Sequence, residues 1–165
     1  LHDLHDYDGH WFMTPRLLSP RRNHDCVVHN GRMINIAGRF SPNIEALDLK
    51  TGEQTLMRND PDLLGMNHPS MTTVAKLDGT GLEIWIACGF VGSTVNKEQS
   101  MTHATVIDAD TLTASRGPEI DRPRGACGST ALFLDGLDQP ALVCIFGGSD
   151  GTHDAGEMLS IVSCY

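Results

Sequence analysis

The sequence predicts an all-β protein assembled from repeated antiparallel units. Three observations carry this expectation. No stretch of a dozen residues places apolar side chains at the three-four spacing of a helix with good helix formers between them. Short apolar or alternating runs recur between turn-forming residues along the whole 165-residue chain. The chain also overlays on itself three times, and repeats of this size imply a fold built from one recurring supersecondary unit.

The elements follow in order. The runs "DCVVHN" from 25, "RMINIAG" from 32 and "NIEALDL" from 43 read as three strands of a first unit. "SMTTVAKL" from 70, "LEIWIAC" from 82 and "THATVID" from 102 do the same in a second. "STALFL" from 129, "ALVCIFG" from 141 and "MLSIVSCY" from 158 do so in a third. Between them lie "NG" at 30–31, "KTGE" at 50–53, "LDGTG" at 77–81 and "LDGLDQP" at 134–140, residues that tolerate positive φ and close hairpins. Consecutive hairpins make a meander. The second run of each unit is almost continuously apolar, as expected of a central strand buried on both faces.

The repeat fixes columns. Ahead of the first strands stand "PRRNH" (20–24), "LGMNH" (64–68) and "PRGAC" (123–127), aligning Arg21 with Arg124 and His24 with His68. The second strands end in "IAGR", "ACGF" and "FGGS", which puts Gly38, Gly89 and the pair Gly147-Gly148 in one column. The third strands carry Leu47-Asp48, Ile107-Asp108 and Tyr165; seven residues beyond the first two lie Gln54 and Ala114, and Leu4 and Trp11 show the same spacing. We therefore expect one domain over 1–165: the last strands of a preceding unit at 1–14, whole units at 15–58 and 59–116, and a unit lacking its fourth strand at 117–165.

These columns resemble the kelch repeat family, on Pro20-Arg21-x-x-His24, Gly147-Gly148, the Leu4/Trp11 spacing with its aromatic, and Tyr165 in a tyrosine column. The resemblance implies a kelch-type β-propeller in which each unit is a four-stranded blade, with about three blades visible here. Three blades and a remnant should not close into a ring, so we expect a fragment of a six- or seven-bladed propeller, or closure through another subunit. The glycine pair then serves architecture. Arg21 and Arg124 are expected to make hydrogen bonds or ion pairs between blades.

Other readings of the same residues fare less well. After Gly147-Gly148 come turn residues and a β-branched run, with neither GxGxxG nor GxxxxGK[ST], so the helix that a phosphate cradle needs is missing from the pattern. Asp150, His153, Asp154 and Glu157 lack EF-hand spacing. His2, His5 and His10 stand among Asp3, Asp6 and Asp8, but His2 and His5, three apart, would point to opposite faces of a strand. Relatives of the galactose oxidase kind build a copper-radical site from tyrosines, histidines and a crosslinked cysteine; with Tyr7 and Tyr165 alone, nothing here matches that motif. No GxSxG elbow occurs. No catalytic, metal-binding or cofactor-binding residue is assigned, and no cofactor is expected.

Twelve basic against 21 acidic side chains give a net charge of −9, which argues against nucleic acid or an anionic membrane surface as partner. The longest apolar stretch, "LEIWIACGFVG" at 82–92, is well short of the roughly 20 residues of a membrane helix. The five cysteines lack CxxC spacing and sit mostly among apolar neighbours, which reads as buried free thiols; a Cys127–Cys144 bridge stays open as an alternative. The odd cysteine count and the absence of an N-glycosylation sequon lean toward an intracellular or organellar site.

Function is expected in the connections. Between the glycine column and the third-strand column lie eight residues in the first unit but 17 and 16 in the next two, and insertions gather where partners are met. The extensions at 90–101 and 149–158, with Val91, Asn96, Lys97, Glu98, Asp150, His153 and Asp154, are the candidate interaction loops. The leading expectation is a non-catalytic scaffold binding protein partners through loops on one propeller face. The alternatives are a carbohydrate-binding or galactose-oxidase-like propeller whose active residues lie elsewhere, and an accessory structural subunit of a larger complex.

Overall fold

A computed structural model describes residues 15–39, 41, 43–57, 66–76, 78–92, 99–133, 140–150, 158–159 and 161–165, the side chains of 133, 140 and 141 excepted. Among them every regular element is a strand. Three antiparallel sheets follow one another along the chain.

The first sheet is a four-stranded meander of β1 (Asp25–His29), β2 (Arg32–Ile36), β3 (Ile44–Asp48) and β4 (Gln54–Met57). Asn30 and Gly31 close its first hairpin with φ of 48° and 71°, the primed turn whose twist matches that of the strands. The second sheet repeats the order with longer strands: β5 (Asn67–Ala75), β6 (Leu82–Val91), β7 (Gln99–Asp108) and β8 (Ala114–Arg124). The third has β9 (Gly128–Phe133), β10 (Pro140–Phe146) and β11 (Val162–Cys164), in the order β11-β10-β9. β8 runs through 114–124, so residues that the repeat gave to the third unit finish the second sheet instead.

One turn recurs after the third strand. Asp48 Oδ1 accepts the N–H groups of Lys50 and Thr51 at 2.8 and 2.7 Å, and Asp108 Oδ1 those of Asp110 and Thr111 at 2.9 and 2.8 Å. An aspartate at this position bonds its own turn, so the Leu-Asp and Ile-Asp columns read from sequence encode a hairpin.

The second strands are the apolar centre. Ile34, Ile36, Ile84, Ile86, Val143 and Ile145 are buried in one cluster that spans all three sheets. The first strands run side by side, β1 against β5 and β5 against β9, whereas the outer strands β4 and β8 keep their main contacts within their own sheets.

The cysteines correct the sequence reading. Cys88 is bonded to Cys127 and Cys144 to Cys164, while Cys26 is free and exposed. Cys127 and Cys144 do lie on neighbouring segments, but Cys144 stands opposite Thr130. Three residues along a strand is about 10 Å, beyond the roughly 7 Å Cα separation that a disulfide spans. Cys144 instead faces Cys164 directly. Val143 and Tyr165 beside them exchange both backbone bonds, which makes 144–164 the closer, non-hydrogen-bonded kind of pair.

Candidate functional site

The second strands of the first and third units turn back at the glycine column, whereas β6 runs on past Gly89 to Val91. Gly38 and Gly148 have φ of 95° and 98°. A Cβ on Gly38 would stand 2.9 Å from the Arg22 carbonyl oxygen, and one on Gly148 2.8 Å from that of Gly125. The backbone passes there so closely that Arg22 bridges to Arg39 and Gly125 to Ser149. Gly147, at φ 63°, has its nearest non-local neighbour at 3.4 Å; it needs a left-handed backbone and nothing more. Ala37 takes that conformation too, at φ 52°. The paired glycine is therefore a crossing point, and residues 147–150 continue into the bridge at Ser149 rather than into a helix.

Arg21 and Arg124 hold the same crossing in two units. Arg21 Nη1 donates to the carbonyls of Ala37 and Asn43, both at 3.0 Å, and Arg124 Nη1 reaches those of Gly147 and Ile161 at 3.5 Å. Each Nε turns back to the carbonyl two residues earlier, Ser19 or Arg122. Arg21 ties the segment before β1 to the first sheet, whereas Arg124 ends β8 of the second sheet and reaches into the third.

Their charge partners differ. Arg21 Nη2 pairs with Glu45 Oε2 at 3.3 Å, both side chains fully enclosed, and Glu45 also accepts the N–H groups of Leu18 and Ser19. Burial lowers the Arg21 pKa, against the pull of Glu45. Arg124 Nη2 donates to Ser163 Oγ and stands 3.5 Å from Asp121 Oδ1. Asp121 in turn accepts from the Tyr165 and Ser163 hydroxyls. The Tyr165 hydrogen bond above all holds the Asp121 carboxyl below its ordinary pKa; burial, then Asp121, raises that of Tyr165. In the second unit this position is Thr105, whose enclosed hydroxyl has no hydrogen-bond partner.

Sequence reasoning missed Glu45 and Asp121. The signal for Glu45 was one charge inside the otherwise apolar run of β3, a residue that burial tolerates only with a partner.

The first and second sheets are joined by polar side chains at their hairpin ends. His29 Nε2 lies 2.9 Å from Asp110 Oδ1, which also accepts from Asn30 Nδ2 at 3.1 Å. Arg32 donates to the Ala109 carbonyl at 2.9 Å. The His29 contact is the main reason that the Asp110 carboxyl titrates below its usual range. The second and third sheets meet through the Cys88–Cys127 bridge and a Ser70–Ser129 hydroxyl bond of 2.9 Å. Phe90 also packs so tightly on Gly125 that a Cβ there would lie 2.5 Å from its ring.

The loop candidates divide. Val91 is no loop residue: it closes β6, pairs with Gln99 and packs on the core, because the strands of the second sheet are longer than the apolar run suggested. Asp150 is ion-paired with Arg122 at 3.4 Å. Trp11, Asn96, Lys97, Glu98, His153 and Asp154 lie outside the described residues.

Among the described residues no group of three His, Cys, Asp or Glu side chains is placed to hold a metal ion, and no helix is long and apolar enough to cross a membrane. A cleft lined by Trp85, Ala87, Ala104, Ile120 and Tyr165 is too narrow for a water molecule; it is a seam between the second and third sheets. No protein-family model matches the chain, and no curated protein matches it.

Proposed function

We propose that the three sheets are successive blades of a kelch-type β-propeller, and that the protein is a non-catalytic scaffold whose longer connections bind protein partners. The observation that carries this reading is the succession of first strands, β1 against β5 against β9, with the outer strands kept within their own sheets. Sheets joined along their first strands fan around an axis, as propeller blades do. Glycine crossings give the first and third sheets the same exit, and the longer connections leave the second and third sheets after β6 and β10. Two disulfides are the cysteine usage of an oxidising compartment, and there we place the protein.

The test replaces residues 93–98, and separately 151–157, with Gly/Ser stretches of equal length. A partner crosslinked to the wild-type protein and identified should lose at least tenfold in affinity, with circular dichroism unchanged. Undiminished binding by both variants rules out the loops. Stoichiometric copper uptake with peroxide release from a sugar alcohol would put an oxidase in place of the scaffold.

A further inference from the structure

The two disulfides sit in different settings. Cys144–Cys164 joins strands that the backbone already holds, since Val143 and Tyr165 beside it exchange both hydrogen bonds. Cys88–Cys127 joins two sheets, tying β6 of the second to the segment between β8 and β9 that opens the third. Its two sulfurs are also unequal. Cys88 is 0% exposed and lies in a stretch of β6 where the ladder to β7 lapses, between the Ile86–Thr105 and Phe90–Ser100 pairs. Cys127 is half-buried, between the exposed Ala126 and Gly128. An incoming thiolate therefore meets Cys127 Sγ first, because access decides which sulfur is attacked.

Attack at Cys127 expels Cys88 as the thiolate. Ala126 takes a left-handed backbone at φ 53°, and the next N–H, that of Cys127, donates to Cys88 Sγ at 3.1 Å. A donor aimed at the departing sulfur stabilises its anion, and the thiol that is the weaker base leaves faster. Among the described residues nothing donates to either sulfur of Cys144–Cys164. The contacts that would hold the second and third sheets together without the bridge are already in place. Ser70 bonds Ser129, Phe90 packs on Gly125, and Asp121 and Arg124 both bond Ser163. Beyond Cys88, the end of β6 would then rest on the pairs made by Phe90 and Val91.

We propose that Cys88–Cys127 is a thiol–disulfide exchange site for a dithiol, entered at Cys127, and that its opening frees the end of β6 from the third sheet while the three sheets stay folded. One sulfur of the dithiol, as thiolate, bonds to Cys127 Sγ. The Cys88–Cys127 bond breaks, and its electron pair leaves on Cys88 Sγ, which takes up a proton. The second thiol of the dithiol then displaces Cys127 from the mixed disulfide. The dithiol ends as a disulfide, having given two electrons and two protons to the two cysteines. This chemistry requires neither a closed propeller nor a bound partner.

The test uses the chain with both bridges formed and Cys26→Ser, which removes the free, exposed thiol. After exposure to reduced glutathione and quenching with iodoacetamide, peptide mass spectrometry should find glutathione on Cys127 and the alkyl group on Cys88. With dithiothreitol and, in parallel, with thioredoxin, Cys88–Cys127 should open about tenfold faster than Cys144–Cys164 or more. Opening by dithiothreitol alone assigns the site to small dithiols, and opening by both extends it to protein dithiols. In the singly reduced protein, hydrogen exchange should quicken over 86–92 and 125–129 and hold over 32–48. Glutathione on Cys88, an equal or reversed order of opening, or loss of all three sheets on reduction each overturns the proposal.

Discussion

The first and third sheets carry out one plan with different chemistry. In both an arginine ties the strand exit to the following strand, and a glycine lets the backbone cross. In the first sheet the arginine meets an enclosed carboxylate, Glu45; in the third it meets a hydroxyl, Ser163, and the exposed Asp121. Opposite Ile34 the first sheet has Ala46, whereas the third has the Cys144–Cys164 bridge at the matching pair. The comparison teaches that geometry is kept at the crossing while the source of its stability is interchangeable.

The largest test breaks the charge pair. Arg21→Met leaves Glu45 enclosed and without its cation, a loss of about 3–5 kcal/mol, while Arg124→Met leaves Ser163 bonded to Asp121 and removes the donor to the Gly147 and Ile161 carbonyls, which should cost about 1–3 kcal/mol. Urea unfolding of both variants measures the gap, and equal losses would show that the partners do not matter. Next comes the bridge. Its 20-residue separation corresponds to about 3 kcal/mol of loop-closure entropy. In Cys144→Ala/Cys164→Ala, hydrogen exchange should therefore speed up over 142–165 and change little over 32–48.

The glycines sharpen the comparison further. Gly148→Ala must force a Cβ against a carbonyl from a left-handed backbone, at about 2–4 kcal/mol. Gly147→Ala needs the backbone alone, at about 1 kcal/mol, since Ala37 already sits in the equivalent place. If the two cost the same, close approach is not what the second glycine provides.

The smallest effect is in titration. The raised Tyr165 pKa favours the folded state fully below about pH 10, the unfolded value, and that contribution is lost as pH rises through the folded one. The depressed Asp121 carboxyl works the other way: its contribution is present above about pH 4 and lost as pH falls through its folded value. Asp121→Asn should bring the Tyr165 midpoint, followed by absorbance near 295 nm, back toward that of an ordinary tyrosine. An unmoved midpoint would leave burial as the sole cause.

Much of this was legible in the sequence, because local rules wrote it. The asparagine-glycine turn, the turn aspartates and the continuous apolar second strands each follow from a few adjacent residues. Arg21 and Arg124, aligned by the repeat, reach carbonyls at corresponding positions, Ala37 and Asn43 for one and Gly147 and Ile161 for the other. What could not be read depends on register. Nothing in the spacing of Cys88, Cys127, Cys144 and Cys164 says which pairs stand opposite, and nothing in "SRGPEIDRPR" announces a strand that serves two sheets. Val91 was misjudged for the same reason, as β6 continues past its glycine to pair with β7.

The two disulfides also bracket the chain's longer connections. Residues 93–98 fall between Cys88 and Cys127, and 151–157 between Cys144 and Cys164. A protease that cuts either segment opens a ring rather than severing a rope, so the nicked molecule keeps its full mass on a gel until a reductant is added. Cleavage within either segment would leave the sheets on its two sides tethered.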